Sequence, residues 1–279
     1  MKKIISIVLC LVMLVSCFAI GATAAPIRKL DLALVVDTTG SMYDSIAQVQ
    51  QDMKEVLAEL DASGMDYKIA IVDYRDFPER TGWSADYPYK VQLDFTNDYD
   101  AIYDAIDSLT LGDGGDWDET IYSALMDGLD ELSWRNSAGK AAIVMGDAPA
   151  LDPEPITGYT RAMVIDKMKD GKVGVDGEEY KAVRAASGAE RSPITLFTIA
   201  TVNDYETVEC FETLATETGG ISYTTENSEE VTDAIIEIIE EIPETVEPGV
   251  EEDDDVGLFD WIIDFFAIIL YFITFQWLF

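Results

Sequence analysis

Histidine is absent from the 279-residue chain, and basic residues are scarce. Without an imidazole the chain cannot form a histidine-based catalytic triad or a histidine-ligated zinc site. The 18 Lys and Arg residues stand against 54 Asp and Glu residues, which gives a formal net charge of −36. So acidic a surface repels nucleic-acid phosphates and favours cationic partners and divalent ions. Solubility in a salty or extracellular medium is the alternative explanation of this charge.

Cysteine is also rare, and two of the three cysteines lie in an N-terminal segment typical of secretory signals. A basic start at Met1–Lys3, an apolar run to Ile20 and small residues at 22–24 predict that residues 1–24 are removed. In an alternative reading, Leu14-Val-Ser-Cys17 resembles a bacterial lipobox, which would leave Cys17 lipidated. Ordinary cleavage leaves Cys210 alone, which excludes an intrachain disulfide and predicts a small buried residue of a helix.

Two segments of unusual composition follow Ile242. Residues 243–256 are rich in Glu, Asp and Pro and are predicted to be an acidic linker. Residues 257–279 are apolar on every face, over a length that at 1.5 Å per residue crosses a hydrocarbon core of ~30 Å. We predict a membrane-anchoring helix here. Asp264 and the lack of a following Lys or Arg leave open docking into a partner or self-association instead.

Between residues 25 and 242, strand patterns alternate with helix patterns. This alternation predicts an α/β domain whose mostly parallel, doubly wound six-stranded sheet carries helices on both faces. The tryptophans at 83, 117 and 134 are predicted to be packing residues, with Trp117 also a candidate for a binding face. Strands are predicted at 32–36, 67–74, 90–95, 141–145, 193–200 and 221–224, and helices at 44–60, 98–109, 121–132, 161–168, 178–187, 205–216 and 228–242.

Oxygen-bearing side chains cluster in three loops that end a strand or begin a helix. Hard oxygens gathered at the carboxyl edge of an open α/β sheet suit a hard cation, and that edge is where such sheets bind ligands. Capping of helices and turns by the same side chains is the alternative. The loops carry Asp37, Thr39 and Ser41 first, then Asp116, Glu119 and Thr120, and finally Asp147.

These motifs resemble those of von Willebrand factor type A (VWA) domains. Asp-Thr-Thr-Gly-Ser at 37–41 is similar to the first loop of the family's metal-ion-dependent adhesion site. Gly-Gly-Asp-Trp-Asp-Glu at 114–119 resembles the second loop of the integrin β subunit type, although Asp118 stands where that branch often has proline. Gly146-Asp147 falls where the family has its third-loop aspartate. The resemblance extends from about Leu30 to Ile242 and implies a Rossmann-like fold.

The resemblance also implies a set of metal ligands. Thr39, Ser41 and Glu119 would contact the metal directly, and Asp37 and Asp147 directly or through water. Asp44 matches the first acidic position of an adjacent regulatory metal site, but Ser45 replaces that site's second acidic residue. The expected cofactor is Mg²⁺, with Mn²⁺ or Ca²⁺ as alternatives. An open coordination position would accept a carboxylate from a protein partner.

The function expected from this resemblance is adhesion by a secreted or surface-anchored domain that binds a protein or matrix ligand through a divalent cation. Two alternatives remain: a scaffold subunit of a membrane-associated complex with a structural metal, and a metal-dependent hydrolase. The Asp37-x-Thr39 sequence is similar to the nucleophile loop of haloacid-dehalogenase-like phosphatases, but those enzymes have a second Asp where Thr39 stands. The chain is therefore expected not to be an enzyme.

Overall fold

A six-stranded sheet forms the centre of the domain, with the strand order β3-β2-β1-β4-β5-β6. The computed structural model describes residues 28–115, 117–170 and 193–249. Strand β3 is antiparallel to β2, and every other neighbouring pair is parallel. The predicted α/β sheet is thereby confirmed. The strands are β1 Lys29–Asp37, β2 Asp66–Tyr74, β3 Lys90–Thr96, β4 Gly139–Gly146, β5 Thr195–Ala200 and β6 Ser222–Thr224.

Helices cover both faces of this sheet, as the alternation of patterns predicts. Because successive residues of a strand point to opposite faces, Leu32 and Leu34 of β1 join one core cluster and Ala33 and Val35 the other. Helices α1, α3 and α7 pack on the first face, and α4, α5 and α6 on the second. The helices are α1 Tyr43–Ala62, α2 Pro78–Thr81, α3 Tyr99–Asp107, α4 Ile121–Met126, α5 Arg161–Asp170, α6 Tyr205–Glu217 and α7 Glu229–Thr245.

The order of the strands reverses between β1 and β4. From β1 the chain passes through α1 to β2 on one side, whereas from β4 it passes through α5 to β5 on the other. Loops at the carboxyl ends of these two strands therefore diverge and leave a crevice at the edge of the sheet. Asp37 ends β1 and Gly146 ends β4, so the first and third predicted loops flank this crevice.

The helix predicted at 121–132 is shorter than expected. Helix α4 ends at Met126, and a single 3₁₀ turn follows at Gly128–Asp130. The ammonium group of Lys167 donates hydrogen bonds to the carbonyls of Leu125 and Met126, which a longer helix would use internally. At Gly128 a methyl group would lie 2.9 Å from Val72 Cγ1, so the chain passes too close to β2 for a side chain.

At the opposite edge of the sheet, the beginning and the end of the domain lie together. The Arg28 guanidinium donates to the carbonyls of Pro243, in the last turn of α7, and of Val246, the residue that follows this helix. Gly139, the first residue of β4, lies so close to Glu247 that a methyl group would be 2.8 Å from its carbonyl oxygen. The strand β1 begins and the helix α7 ends at this edge, far from the loops that follow Asp37 and Gly146.

Among the described residues, no helix has the length and apolar character needed to cross a bilayer. The predicted signal at 1–24, residues 250–256 of the predicted linker, the apolar segment 257–279 and the helix predicted at 178–187 lie outside the residues described here. Helix α7 continues to Thr245, so the first three residues of the linker predicted at 243–256 belong to this helix.

The prediction that all three tryptophans are packing residues is wrong for Trp83 and Trp117, while the alternative for Trp117, a place on a binding face, stays a prediction. Trp134 packs as expected, edge-on against Phe95 with ring centroids 4.5 Å apart. Trp83 and Trp117, however, are 53% and 46% exposed, because both lie in loops at the carboxyl edge rather than under a helix. Cys210 is buried in α6, as predicted.

Candidate metal centre

The first loop forms a compact turn built on Asp37. Its Oδ1 accepts hydrogen bonds from the Thr39 amide at 2.8 Å and from Thr39 Oγ1 at 2.7 Å. Thr39 Oγ1 also lies 3.3 Å from Ser41 Oγ. Neither the 3₁₀ turn at Gly40–Met42 nor helix α1 has a side-chain cap, so Ser41 does not serve as a helix cap. Three oxygen-bearing side chains therefore lie side by side at the end of β1.

The second loop is held against the first. The Gly112 amide donates to the Thr38 carbonyl at 2.7 Å. Gly114 has a φ of +61°, and a methyl group there would lie 3.0 Å from Thr39 Cγ2 and 3.2 Å from Glu119 Oε1. Because the Thr39 and Glu119 side chains both lie close to Gly114, the Glu119 carboxylate lies beside Thr39. Glycine is required here by the positive φ and by this close approach.

The third loop is joined to the second by backbone pairing. The Glu119 amide donates to the Pro149 carbonyl and the Leu151 amide donates to the Glu119 carbonyl, each at 2.9 Å. Glu119 thus forms a parallel bridge with Ala150, three residues after Asp147. Because this bridge fixes the backbone on both sides of the crevice, Glu119 and the Asp147 loop are held as one unit.

Tyr74 lies near the acidic side chains of all three loops. Tyr74 is buried at the end of β2, and its hydroxyl donates to the Met145 carbonyl at 3.2 Å. Burial raises the pKa of Tyr74 well above its usual value, and the nearby charges of Asp37, Glu119 and Asp147 raise it further. A methyl group at Gly146 would overlap the Tyr74 hydroxyl and lie 3.2 Å from Asp37 Oδ2.

The centre has an excess of negative charge. Burial and, second to it, the charge of Asp147 raise the pKa of Asp37 to about 7, although the hydrogen bonds from Thr39 act to lower it. Burial also raises the pKa of Asp147, while a hydrogen bond from the Ser41 hydroxyl lowers it. Asp37 Oδ2 is buried and has no hydrogen bond of normal geometry, although the Asp147 amide lies close enough to lower the pKa of Asp37. A buried carboxylate oxygen in this state is unfavourable unless a cation or another donor approaches it.

The ligand set suits a hard cation that keeps part of its water. Within the described ranges, no three Asp, Glu, Cys or His side chains are grouped so that they could hold a metal ion. A cation beside Asp37 would therefore also need the hydroxyl oxygens of Thr39 and Ser41, with water completing its coordination. Mg²⁺ commonly binds through one or two carboxylates and several waters. The oxygen donors present are consistent with that chemistry.

The structure does not place the secondary candidates for metal ligands, Thr120, Asp44 and Asp116, among the side chains described above. The Thr120 hydroxyl lies 2.9 Å from the Arg75 carbonyl and 2.7 Å from the Pro88 carbonyl, so it fastens the backbone. Asp44 is exposed in the first turn of α1. Asp116 lies outside the described residues. The structure thus brings together Asp37, Thr39, Ser41, Glu119 and Asp147, and turns the Thr120 hydroxyl to backbone carbonyls.

Substitution of Gly114 by alanine tests the contact between the first two loops. Gly114→Ala is expected to weaken Mg²⁺ binding about tenfold, equivalent to ~1.4 kcal/mol, because the new methyl group pushes Thr39 and Glu119 apart. The control is Gly64→Ala, which has a similar φ of +70° but no atom within 4 Å of the new methyl group. Both variants should lose ~1 kcal/mol of stability from the left-handed backbone. Equal Mg²⁺ affinities by calorimetry would contradict the expected contact.

Sequence patterns missed Tyr74, Gly146 and Arg75 as parts of this site. Tyr74 ends β2, the strand next to β1, and Arg75 follows it, so their positions in the chain were the available signal. Their contacts, however, depend on the strand order, which brings β2 and β4 to either side of β1.

Comparison with known proteins gives a family match over most of the domain. The family described as von Willebrand factor A domain matches residues 31–227. No curated protein matches the chain. One similar solved structure is a von Willebrand factor type A protein from Catenulispora acidiphila. Its sequence identity to this chain is 15% and its TM-score is 0.49, and the match covers 76% of this chain and 42% of that one. An aerotolerance-related membrane protein from Bacteroides fragilis has 14% identity and a TM-score of 0.43 over 76% of this chain and 99% of that one.

A third similar structure is proximal thread matrix protein 1 from the mussel byssus. It has 11% identity and a TM-score of 0.47, over 80% of this chain and 48% of that one. The chain therefore spans less than half of the length of two of these three proteins.

Proposed function

The chain belongs to the von Willebrand factor A domain family, and from this premise we propose that it binds a protein or matrix ligand through a divalent cation held by its three loops. The ligand would supply a carboxylate, and the chain would supply Asp37, Thr39, Ser41, Glu119 and Asp147. The proposed cation is Mg²⁺, with Mn²⁺ or Ca²⁺ as alternatives.

One observation carries this proposal: a buried carboxylate oxygen, Asp37 Oδ2, lies at the end of β1 beside Gly146 and lacks a hydrogen bond of normal geometry. The negative charge of Asp147 acts on Asp37, and the charges of Asp37, Asp147 and Glu119 all act on the neighbouring Tyr74. Such an arrangement is costly unless it is compensated, and a divalent cation is the simplest compensation. Helix capping does not explain it, because neither helical segment after β1 has a side-chain cap.

The chemistry of the donors supports binding rather than catalysis. A bound cation would supply a positive charge with an exposed coordination position. Thr39 and Ser41 donate neutral oxygens, which leave more of that charge for an incoming carboxylate than additional carboxylates would. The Asp37 carboxylate is oriented by two hydrogen bonds from Thr39, so it is held as a ligand. The absence of histidine from the sequence removes the commonest general base.

The exposed tryptophans support a macromolecular ligand. Trp117 lies two residues before Glu119, and its side chain is 46% exposed. Trp83, 53% exposed, lies two residues after Thr81, and a methyl group at Gly115 in the second loop would overlap the Thr81 side chain. Two large aromatic surfaces therefore lie on neighbouring loops beside the proposed site. Tryptophan is enriched among residues that dominate binding at protein interfaces.

We further propose that the domain is exported and attached to a surface, through the signal at 1–24 and the apolar segment 257–279. The grouping of Arg28 with the end of α7 supports this arrangement, because a tether leaving from that edge keeps the crevice at the opposite edge accessible.

An array of short peptides tests the proposed ligand chemistry. Each peptide that contains Asp or Glu is paired with a version that contains Asn or Gln at the same position. The purified chain is expected to bind some acidic peptides in Mg²⁺ at least about tenfold more tightly, a difference of ~1.4 kcal/mol, than their amide counterparts. Excess chelator should abolish this difference. The tryptophan contribution is measured with Trp117→Ala, with Trp134→Ala as the control because Trp134 packs on Phe95 away from the loops.

Binding that persists in chelator, or that does not distinguish acids from amides, would refute a carboxylate bridged by a cation. If the chain binds Mg²⁺ by calorimetry but no peptide responds to the metal, the structural-metal alternative would be favoured.

A further inference from the structure

Arg75 reaches three separate segments around the site. It is the first residue after β2, and it is only 5% exposed. Its Nε donates to Thr38 Oγ1 at 3.0 Å, and its Nη1 donates to the Ala85 carbonyl at 2.9 Å. Its Nη2 donates to the Thr110 carbonyl and lies 3.4 Å from Thr110 Oγ1. One buried guanidinium thus joins the first loop, the loop after α2 and the beginning of the second loop.

The backbone of Arg75 holds the other end of the second loop. Its carbonyl accepts hydrogen bonds from the Thr120 amide at 3.1 Å and from the Thr120 hydroxyl at 2.9 Å. Both ends of residues 110–120 are therefore attached to this residue, one through its side chain and one through its carbonyl. Glu119 and Gly114, which approach Thr39, lie between these two attachments.

The guanidinium is fixed in orientation as well as in position. It stacks over the Tyr87 ring at 4.4 Å, a favourable cation–π distance. The Tyr87 hydroxyl donates to Asp73 Oδ2, and the Thr38 hydroxyl donates to the same oxygen at 2.9 Å. Gly112 leaves the room that the side chain needs, because a methyl group there would lie 2.6 Å from Arg75 Cδ.

We infer that Arg75 positions the second loop. By holding both ends of this loop, Arg75 sets the distance between Glu119 and the Asp37–Ser41 turn, and this distance in turn sets the affinity of the site for a divalent cation. The part of this inference that concerns the cation rests on the proposed function. Lysine cannot replace this arginine, because one ammonium group cannot form the planar fork that reaches Thr38, Ala85 and Thr110 together. Arg75 would act only through the loops, since its contacts are with their backbone and hydroxyl oxygens.

The test compares Arg75→Lys with Arg135→Lys in the full chain. Arg135 is a matched control, because its side chain also donates to several groups, the Asp31 and Asp66 carboxylates and the carbonyls of Leu30 and Asp66, but at the opposite edge of the sheet. Both variants keep the charge and should lose some thermal stability. Amide hydrogen exchange without metal should be at least about tenfold faster at Gly112 and Thr120 in Arg75→Lys alone. Mg²⁺ affinity should fall about tenfold in that variant and stay within about twofold in the control.

Unchanged exchange at Gly112 and Thr120 in a folded Arg75→Lys variant would overturn the inference. If Arg75→Lys does not fold, Gly112→Ala provides a second route, since its methyl group displaces the Arg75 side chain while leaving the arginine in the chain. It should give the same loss of protection at Thr120, and normal protection there would also overturn the inference. If the wild type binds no Mg²⁺, the proposed function fails, while the exchange experiment still decides the role of Arg75. If the wild type and Arg75→Lys bind Mg²⁺ equally, only the inference fails.

Discussion

Asp37→Asn is expected to weaken Mg²⁺ binding by at least about a hundredfold, or ~2.7 kcal/mol, and also to make the metal-free protein more stable at pH 8. Affinity falls because a neutral amide replaces the central carboxylate. Stability rises because the substitution removes a buried charge that burial and Asp147 disfavour, with a gain on the order of 1 kcal/mol. Calorimetric titration and urea unfolding measure the two effects. Weaker Mg²⁺ binding together with higher metal-free stability would identify Asp37 as a metal ligand rather than a structural residue.

The same substitution at Asp31 is the control. Asp31 and Asp37 are both fully buried in β1, but Asp31 pairs with Arg135, whose Nε lies 2.7 Å from Asp31 Oδ1. Asp31→Asn should therefore destabilise the protein by roughly 1–3 kcal/mol, because it weakens a charge-assisted pair, and leave Mg²⁺ affinity unchanged. A loss of stability in Asp37→Asn similar to that in Asp31→Asn would show that Asp37 is a structural residue.

A fixed Mg²⁺ concentration that saturates the site at pH 7.5 is expected to raise the melting temperature strongly at that pH and only slightly at pH 5, where protons compete with the metal. The pKa of Asp37 rises from its ordinary 3.8 to about 7 on folding. Between these values the folded state binds more protons than the unfolded state, so the metal-free protein loses stability as the pH rises through this window. Asp147, Asp127 and Glu154 also have raised pKa values and act in the same direction. Metal should reverse most of this loss, because it neutralises the carboxylates of the site.

The expected size follows from linkage. At a free Mg²⁺ concentration 100 times the dissociation constant, the stabilisation is about 2.7 kcal/mol, or roughly 5–10 °C for a domain of this size. Asp52 and Asp94 have lowered pKa values and oppose the trend only as the pH falls toward 4 and below. Differential scanning calorimetry at both pH values, with Mg²⁺ and with chelator, measures the shifts. A metal-free protein that melts at a higher temperature at pH 7.5 than at pH 5 would contradict this prediction, as would an Mg²⁺ shift that persists in Asp37→Asn.

The sheet could be predicted from the sequence because its strands are short apolar runs separated by turn residues. The predicted core strand at 67–74 and the observed Asp66–Tyr74 differ by one residue. Lys90 to Phe95 alternates polar and apolar residues, which predicts an edge strand, and β3 lies at that edge. Loop positions at the carboxyl edge also predict that Asp37, Glu119 and Asp147 lie near one another, and the family resemblance specified the same residues. As a set of metal ligands they stay a prediction.

Contacts between distant residues could not be predicted from local patterns. The early end of α4 depends on the Lys167 ammonium group, which comes from α5, 41 residues away in the chain. The role of Arg75 depends on Thr110 and Ala85, neither of which any local pattern connects to it. Hydrophobicity predicted burial for Trp83 and Trp117, but both lie in loops that no helix covers, so their side chains remain exposed.

The contact of Arg28 with Pro243 and Val246 places the beginning of β1 and the end of α7 at one edge of the domain, where a mechanical load would be applied to both. Strand β1 runs from this edge to the crevice. A force applied between the two is therefore parallel to the axis of β1. In that direction the hydrogen bonds that join β1 to β2 and β4 are sheared together rather than opened one after another. The strand that bears Asp37 is therefore well placed to resist force, with its neighbours sharing the load on both sides.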